Sequence, residues 1–444
     1  MVQLGCSTQR SDLISAANGT SSGGGAGTPD AHILDDAQLP ALSAVVDERP
    51  MGGASLLGGT TGGGTLAAAR AAGHLMVVSS ATEFLGAVSG DTPTVILINE
   101  GTYDFTLSPG RASKACINIC DPSTPVAAET LAAASCAFTA ALIDIESTYD
   151  VARVGDNKTL VGLGAGATLR NVELDLSGSS NVILRNLDFQ DINPGILHDG
   201  EAIKLWPADH IWIDHCSFKN ISYTSLHIVS SWDEANNQAI ITAAGYMTIS
   251  WNHFNGRTTK ACGGQDPTVI NTNRNPALTL HHNWFDTSAN WNPFLFGPGT
   301  WAHLFNNTWS NITNISVAAS CGAAALLQGN AFESARDAIY INDNGAPTWS
   351  FCPSGTFGVV YAPIDAVSDE QNLLDANSPL SLNGQNTDGT GLSLPVRQSG
   401  DSFRISVPAS PTGGSAASYD YDLEANPASV SAAVKAGCGV GQLF

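Results

Sequence analysis

The sequence predicts an all-β fold, a single-stranded parallel β-helix, on three observations. The first is a recurring eight-residue phrase: Val182–Phe189, Ile211–Phe218, Met247–Phe254, Leu278–Phe285, Ala302–Trp309 and Ala325–Phe332. Its closing aromatics lie 29, 36, 31, 24 and 23 residues apart. A local pattern repeated at a near-constant period marks a solenoid, whose units bury their apolar faces only against their neighbours. The second observation is that apolar residues alternate at period two inside the phrase, which specifies strand rather than helix. The third is a column two positions before each closing aromatic: Cys216, Asn252, Asn283, Asn307 and Asn330. Asparagine tolerates the left-handed backbone of a sharp corner, and stacked Asn side chains hydrogen-bond as a ladder. Each coil is therefore expected to turn at that column.

The elements follow in order. Residues 1 to about 50 read as a flexible tether and lead-in, and 51–444 as one β-helix domain. Residues 51–64 are Gly-rich and turn-like, and Thr65 to Ala72 reads as a short helix. Ser80 and Glu83 form a capping box ahead of Phe84, Leu85, Ala87 and Val88 at helical spacing. This helix is the expected N-terminal cap, because an open solenoid end exposes apolar side chains and unpaired strand edges. Val95–Ile98 starts the first strands. Residues 103–150 carry Cys116, Cys120 and Cys136 and read as an insertion, partly helical, stapled to the barrel. Coils run from about Thr159 to about Val360. The polar tail, 365–444, closes with a short helix over Pro427–Lys435 and is expected to lie along the barrel.

Composition narrows the function. Of 444 residues, 13% are charged, and the net charge is −22. That charge argues against nucleic acid, whose affinity comes from Lys and Arg. It also weighs against a polyanionic partner unless basic residues gather locally. No apolar run reaches the ~18 residues of a membrane span. Leu4-Gly5-Cys6 resembles the end of a bacterial lipoprotein signal, and residues 7–30 form a Ser/Gly/Thr-rich linker. The nine cysteines are odd in number, and a lipid on Cys6 would leave eight for pairing, as in an oxidising compartment. Cys216, in a strand corner, reads instead as a buried thiol. A monomer, secreted or lipid-anchored at the bacterial cell surface, is expected.

Ile211–His215, Met247–Asn252 and Leu278–Phe285 closely resemble the strands of the pectate and pectin lyases. Helix 80–88 with its following strand resembles that family's N-terminal cap, and Val434–Gly441 its C-terminus. The resemblance covers about residues 50–360 plus the tail. It implies a right-handed β-helix and β-elimination on a uronic-acid polymer, in which a base removes the proton beside the carboxylate or ester and the glycosidic oxygen leaves. It also implies a calcium site built from carboxylates. Asp199 and Glu201 stand where the family has its first acidic pair, so they are the metal candidates. Ala235 and Ala239 stand where a second pair belongs, so calcium is expected to bind weakly.

Lys260 corresponds to a substrate-holding lysine, and Arg257 close before it is a further substrate-binding candidate. The family's two arginines align with Trp291 and Phe296, around a retained Pro293 and Gly297. Aromatic rings stack on sugars but neither accept a proton nor pair with a carboxylate. The base therefore falls to Lys260 or His227, the latter in the strand Leu226–Val229. His215, His281 and His282, inside the repeated phrase, are assigned to the scaffold. Two readings result: an exported polysaccharide lyase with a divergent site, acting on pectin or another uronate glycan, or a glycan-binding β-helix without catalysis. The aromatic substitutions and the net charge favour neutral or esterified sugars. If Cys6 carries a lipid, the protein expressed with its native leader partitions with membranes and Cys6→Ser releases it; equal solubility of the two forms would make the motif accidental.

Overall fold

The chain winds through three parallel sheets that enclose one apolar core. The computed structural model describes residues 39–105, 112–116, 142–146, 149–192, 200–221, 223–229, 232–233, 238–239, 245–257, 268–273, 277–288, 291–297, 300–342, 358–362, 372–378, 380–382, 385–387, 404–407, 417–424 and 426–444. Among them, the first sheet has ten strands, from Leu75–Val78 and Thr94–Ile98 to Val359–Tyr361. The second has nine, from Gly101–Asp104 to Leu373–Leu374. The third runs from Asp150–Arg153 to Leu380–Leu382, with Gln385–Thr387 added antiparallel at its edge. Each strand pairs with its equivalents one coil before and after, which is a parallel β-helix, right-handed as parallel crossovers are. Phe189, Phe218, Phe254, Phe285, Trp309 and Phe332 are register partners in succession. Their rings stack inside the barrel at 5.1, 4.8, 5.2, 5.0 and 4.5 Å.

The asparagine column forms the expected ladder. The Oδ1 of Asn283 accepts from the backbone N–H and the Nδ2 of Asn252, both at 3.0 Å. Its own Nδ2 donates to Ile249 O and to the Oδ1 of Asn307. The pattern runs from the Cys216 N–H, which donates to Asn252, through Asn307 and Asn330 to Asn372. Asn372 escaped the sequence reading because it lies 42 residues beyond Asn330 and its coil ends on Leu374 instead of an aromatic.

The expected corner position is off by one. The left-handed residues are Asn186, His215, Trp251, His282 and Asn306, with φ between 50° and 57°. Each precedes the ladder position. The ladder asparagines point inward to bond the adjoining coils, and that bonding holds even bulky residues such as Trp251 in a conformation they ordinarily avoid.

Both chain ends lie on the barrel. The capping helix α3 (Ala81–Val88) follows α1 (Leu39–Val46) and α2 (Leu66–Ala72). In α3 the Ser80 hydroxyl accepts the Glu83 N–H at 3.2 Å, and the Glu83 carboxylate accepts the Ser79 N–H at 2.7 Å. Phe84, Ala87 and Val88 join the core with Ile96, Ile98 and Leu160 and close its end. The lead-in is ordered earlier than its composition suggests. Leu42 and Val46 of α1 are buried with Leu66, Val95, Leu97 and Val161 on the first sheet. Buried Arg185 clamps this segment: it pairs with Asp214 and Glu48 at 2.7 Å, donates to Val45 O, and lies 4.3 Å over the Trp212 ring. Gly53 then crosses the same sheet where a side chain has no room, since a Cβ would meet Ala277 O at 2.1 Å.

The chain leaves the barrel after Asp104 and rejoins it at Asp150, as expected of an insertion. Within it, Ala112–Cys116 and Leu142–Glu146 pair antiparallel, and residues 117–141 lie outside the described residues. The tail begins later than 365, because Leu373–Leu374 and Leu380–Leu382 are barrel strands. The stretch 417–424 covers the first sheet. There the Tyr419 hydroxyl lies 2.8 Å from Thr279 Oγ1 and 2.9 Å from His303 Nδ1, and Tyr421 donates to Gln328. Helix α4 (Pro427–Gly437) packs Val430 and Val434 against Trp251 and Trp284, beside the second sheet. Cys216 is the buried thiol anticipated, but Cys438 is free and buried too, so the eight-cysteine pairing does not hold. Burial pushes both thiols up to about 12. Cys321 is disulfide-bonded.

Two predictions follow from this packing. Asn283→Leu or Asn307→Leu leaves buried backbone groups unpaired, at roughly 1–3 kcal/mol per group, so the thermal midpoint falls; an unchanged midpoint would remove the ladder from the account. The second concerns acid. Burial holds His281, His282 and His303 below the ordinary histidine value, His303 at about 3. Their folded pKa lies below the unfolded ~6.5, so the folded state binds fewer protons and their contribution is complete above that value. It is lost as pH falls from ~6.5 toward the folded values. The thermal midpoint should therefore drop between pH 7 and pH 5, and His303→Gln should flatten that drop.

Candidate active site

The N-terminal lead-in and residues 417–424 cover the outer face of the first sheet, and α4 lies beside the second. Among the described residues nothing comparable covers the third. At one height along it the register aligns Arg153, Asp175, Lys204, His227, Asn271, Phe294, Ala318 and Tyr340. Alternation sets this row. Leu174, Ile203, Leu226, Val317 and Ile339, one position earlier, all point into the core. Adjacent members of the row stand about 4.8 Å apart at the backbone.

His227 is the most organised member. Its Nδ1 donates to Glu201 Oε1 at 2.5 Å. Trp206 meets the imidazole edge-on at 4.8 Å, and Tyr223 does so at 5.6 Å. Both partners of the pair are largely enclosed, with side chains 9% and 12% exposed. On the neighbouring strand the Lys204 ammonium lies 4.4 Å over the Trp206 ring. A carboxylate on Nδ1 fixes the imidazole tautomer and leaves Nε2 as the proton acceptor.

Glu201 is thus bonded through Oε1 to a histidine. Its Oε2 is closed off and unbonded. Among the described residues no group of three or more His, Cys, Asp or Glu could hold a metal ion. Asp199 and Lys260 lie outside the described residues. Trp232–Asp233 and Gln238–Ala239, where the second acidic pair was sought, form a short antiparallel pair apart from the three sheets.

The aromatic stretch enters the third sheet further along the same face. Trp291 is half-buried, with φ 50°, and its ring stacks on Phe294 at 4.6 Å. Asn292 secures the turn: its Nδ2 donates to Ile315 O, its Oδ1 accepts from Ser288 and its carbonyl accepts from Trp309 Nε1. Phe296 does not fit the sugar-binding role assigned to it. It is 5% exposed and packs with Cys321 and Phe294, so it braces the set. Phe294, partly buried and in line with His227, takes the accessible place. Arg257 stands at the exit of the second sheet, held by Asp286 at 3.2 Å and Thr287 at 2.8 Å, and is not in the His227 row.

Sequence reasoning reached His227 and Glu201 separately but missed Lys204, Trp206, Tyr223 and Phe294. Strand alternation marks Lys204 as outward-facing. Nothing in one strand reveals that it will stand beside His227, since that adjacency is set between coils.

Residues 112–351, more than half of the chain, match the family described as pectate lyase. A probable pectin lyase F-2 of Aspergillus terreus is 31% identical over 272 residues, covering 58% of this chain and 53% of that one. A pectate trisaccharide-lyase of Bacillus licheniformis is 31% identical over 196 residues, covering 44% and 53%. The chain thus spans about half the length of these relatives. Among solved structures, a pectate lyase from Paenibacillus sp. 0602 superposes with a TM-score of 0.55 at 16% identity, covering 89% of this chain and 97% of that one. One from Acidovorax avenae gives 0.55 at 17%, covering 89% and 95%. These two likenesses carry the fold, a right-handed parallel β-helix; the family match over 112–351 carries the lineage, and the chain belongs to the pectate lyase family.

Proposed function

We propose that the protein is a polysaccharide lyase that cleaves a uronate-containing glycan such as pectin by β-elimination, with the Glu201–His227 pair as its base. The observation that carries this reading is the 2.5 Å contact between Glu201 and His227 Nδ1 on the least covered face of the barrel. His227 Nε2 takes the proton from the carbon next to the carboxyl group. The electron pair of that C–H bond becomes the new carbon–carbon double bond, the bond to the glycosidic oxygen breaks, and the departing oxygen is protonated from solvent. Glu201 stays ionised and stabilises the imidazolium that forms. A histidine base suits a chain that has Trp291 and Phe296 in place of the family's arginines, because neither ring accepts a proton. Lys260 is the alternative base. Secretion or a lipid anchor on Cys6 agrees with a polymeric substrate met outside the cell.

A second reading, binding without catalysis, has one observation in its favour: the stacked Trp291–Phe294 pair offers a sugar-binding face and no chemistry.

The test is the ultraviolet absorbance of an unsaturated product on a panel of uronate polymers, with calcium and with a chelator. Because a carboxylate-oriented imidazole accepts the proton without a cation, turnover should persist in chelator. His227→Ala should lower the rate by about 10²–10⁴-fold, the usual contribution of a positioned base, and Glu201→Gln by less, each measured on protein shown to be folded. A wild-type rate in His227→Ala would move the base to Lys260. No product from any polymer, together with glycan binding lost in Trp291→Ala, would establish the second reading.

A further inference from the structure

We propose that Lys204, seated on Trp206, anchors a substrate carboxylate and makes the site selective for glycans with free uronic acid over their esters. This rests on the lyase reading for its chemistry, but its geometry stands independently. The chain has 18 Lys and Arg against 40 Asp and Glu. Many cations around the barrel are accordingly taken up: Arg153 by Asp175, Arg170 by Asp191, Arg185 by Asp214, Arg257 by Asp286 and Lys435 by Glu333, while Lys219, on a strand of the second sheet, is not in the His227 row. Lys158 is spent on three backbone carbonyls. Lys204 differs. Among the described residues its ammonium has neither an ion pair nor a hydrogen bond, only the Trp206 ring at 4.4 Å.

The carboxylate closest in register does not compete for it. Asp175 is the register partner of Lys204, yet it is engaged by Arg153 at 3.0 Å and by the Ser177 N–H at 2.9 Å. An aromatic face attracts an ammonium but leaves its N–H donors free for an anion. In a chain of net charge −22, an unpaired cation of this kind offers a polyanion a local point of attraction.

Position ties this cation to the chemistry. Lys204 and His227 are direct register partners, about 4.8 Å apart at the backbone. A carboxylate on the Lys204 ammonium puts the carbon beside it within reach of the imidazole. As the proton leaves, negative charge builds on that carboxylate, and Lys204 stabilises it. An ester in the same place has no charge to pair. Phe294 stands three strand steps from Lys204, about 14 Å, so a ligand that touches both ends is an oligosaccharide. The net charge and the aromatic residues favour neutral sugars when the sequence is read alone; Lys204 reverses that preference at the reacting unit, and Trp291 and Phe294 bind sugar faces further along.

The test measures binding of trigalacturonate and of its methyl ester to the full chain, with turnover followed in parallel. Wild type should bind the acid more tightly, with an affinity that falls as salt rises. Lys204→Gln should weaken acid binding tenfold or more while changing ester binding less than twofold, and Lys204→Arg should recover most of the difference. The same selectivity should persist in His227→Ala, where no turnover interferes. Equal affinity of wild type for acid and ester, an equal loss of both in Lys204→Gln, or no binding of either ligand would overturn the proposal. Charge-selective binding without turnover in wild type would instead overturn the lyase reading and leave Lys204 as the anchor.

Discussion

The buried asparagine ladder is the interaction on which the rest of this molecule depends. A corner between two strands leaves backbone N–H groups that water cannot reach, and each unmet group costs about as much as a single core substitution. Asn252, Asn283, Asn307, Asn330 and Asn372 each accept the N–H of the coil before and bond one another in file. That file locks neighbouring coils in register. Register in turn makes rows, because residues at one height on successive strands stand side by side. The interior row is a stack of aromatic rings, and the row on the outer face of the third sheet brings Lys204, His227 and Phe294 into line.

The chain ends decide which row is free. The lead-in crosses the first sheet and is held by buried Arg185, whose charge is balanced by Asp214 and Glu48. A buried charge of this kind is tolerable only when paired and bonded on every side. Residues 417–424 lie on the far part of the same sheet over His281, His282 and His303, which burial keeps uncharged. Helix α4 sits against Trp251 and Trp284. The cover is therefore partly polar, and it engages His282, His303, Tyr419 and Tyr421 in packing and hydrogen bonds. His227 stands apart from that set because its strand belongs to the third sheet.

The proposed site sets its own side chains on a family scaffold. Where the pectate lyase resemblance calls for arginines, this chain places Trp291 and Phe296, and the structure buries the second. Where it calls for a carboxylate that binds a cation, Glu201 bonds His227 through one oxygen. The two changes are physically compatible. An imidazole oriented by a carboxylate can act as a base without a metal, and a lysine on the neighbouring strand can meet the charge that a metal would otherwise meet.

Much of this was legible in the chain. The repeated phrase, its alternation and the Asn column specify a parallel β-helix, because burial on one side of a strand imposes a period that a sequence displays directly. The capping box at Ser80 and Glu83, the short helix from Thr65 and the C-terminal helix from Pro427 are equally local and were all readable. Three features were not. The left-handed corner falls one residue before the asparagines, because inward bonding rather than intrinsic preference sets it. Asn372 and the last barrel strands lack the aromatic that marks the other coils. The pairing of Glu201 with His227, the adjacency of Lys204 and the burial of Phe296 arise between coils, from residues 23 to 26 positions apart that stacking brings together. Periodicity along a strand shows which way a side chain points. Only the stacking of one coil on the next decides what it meets there.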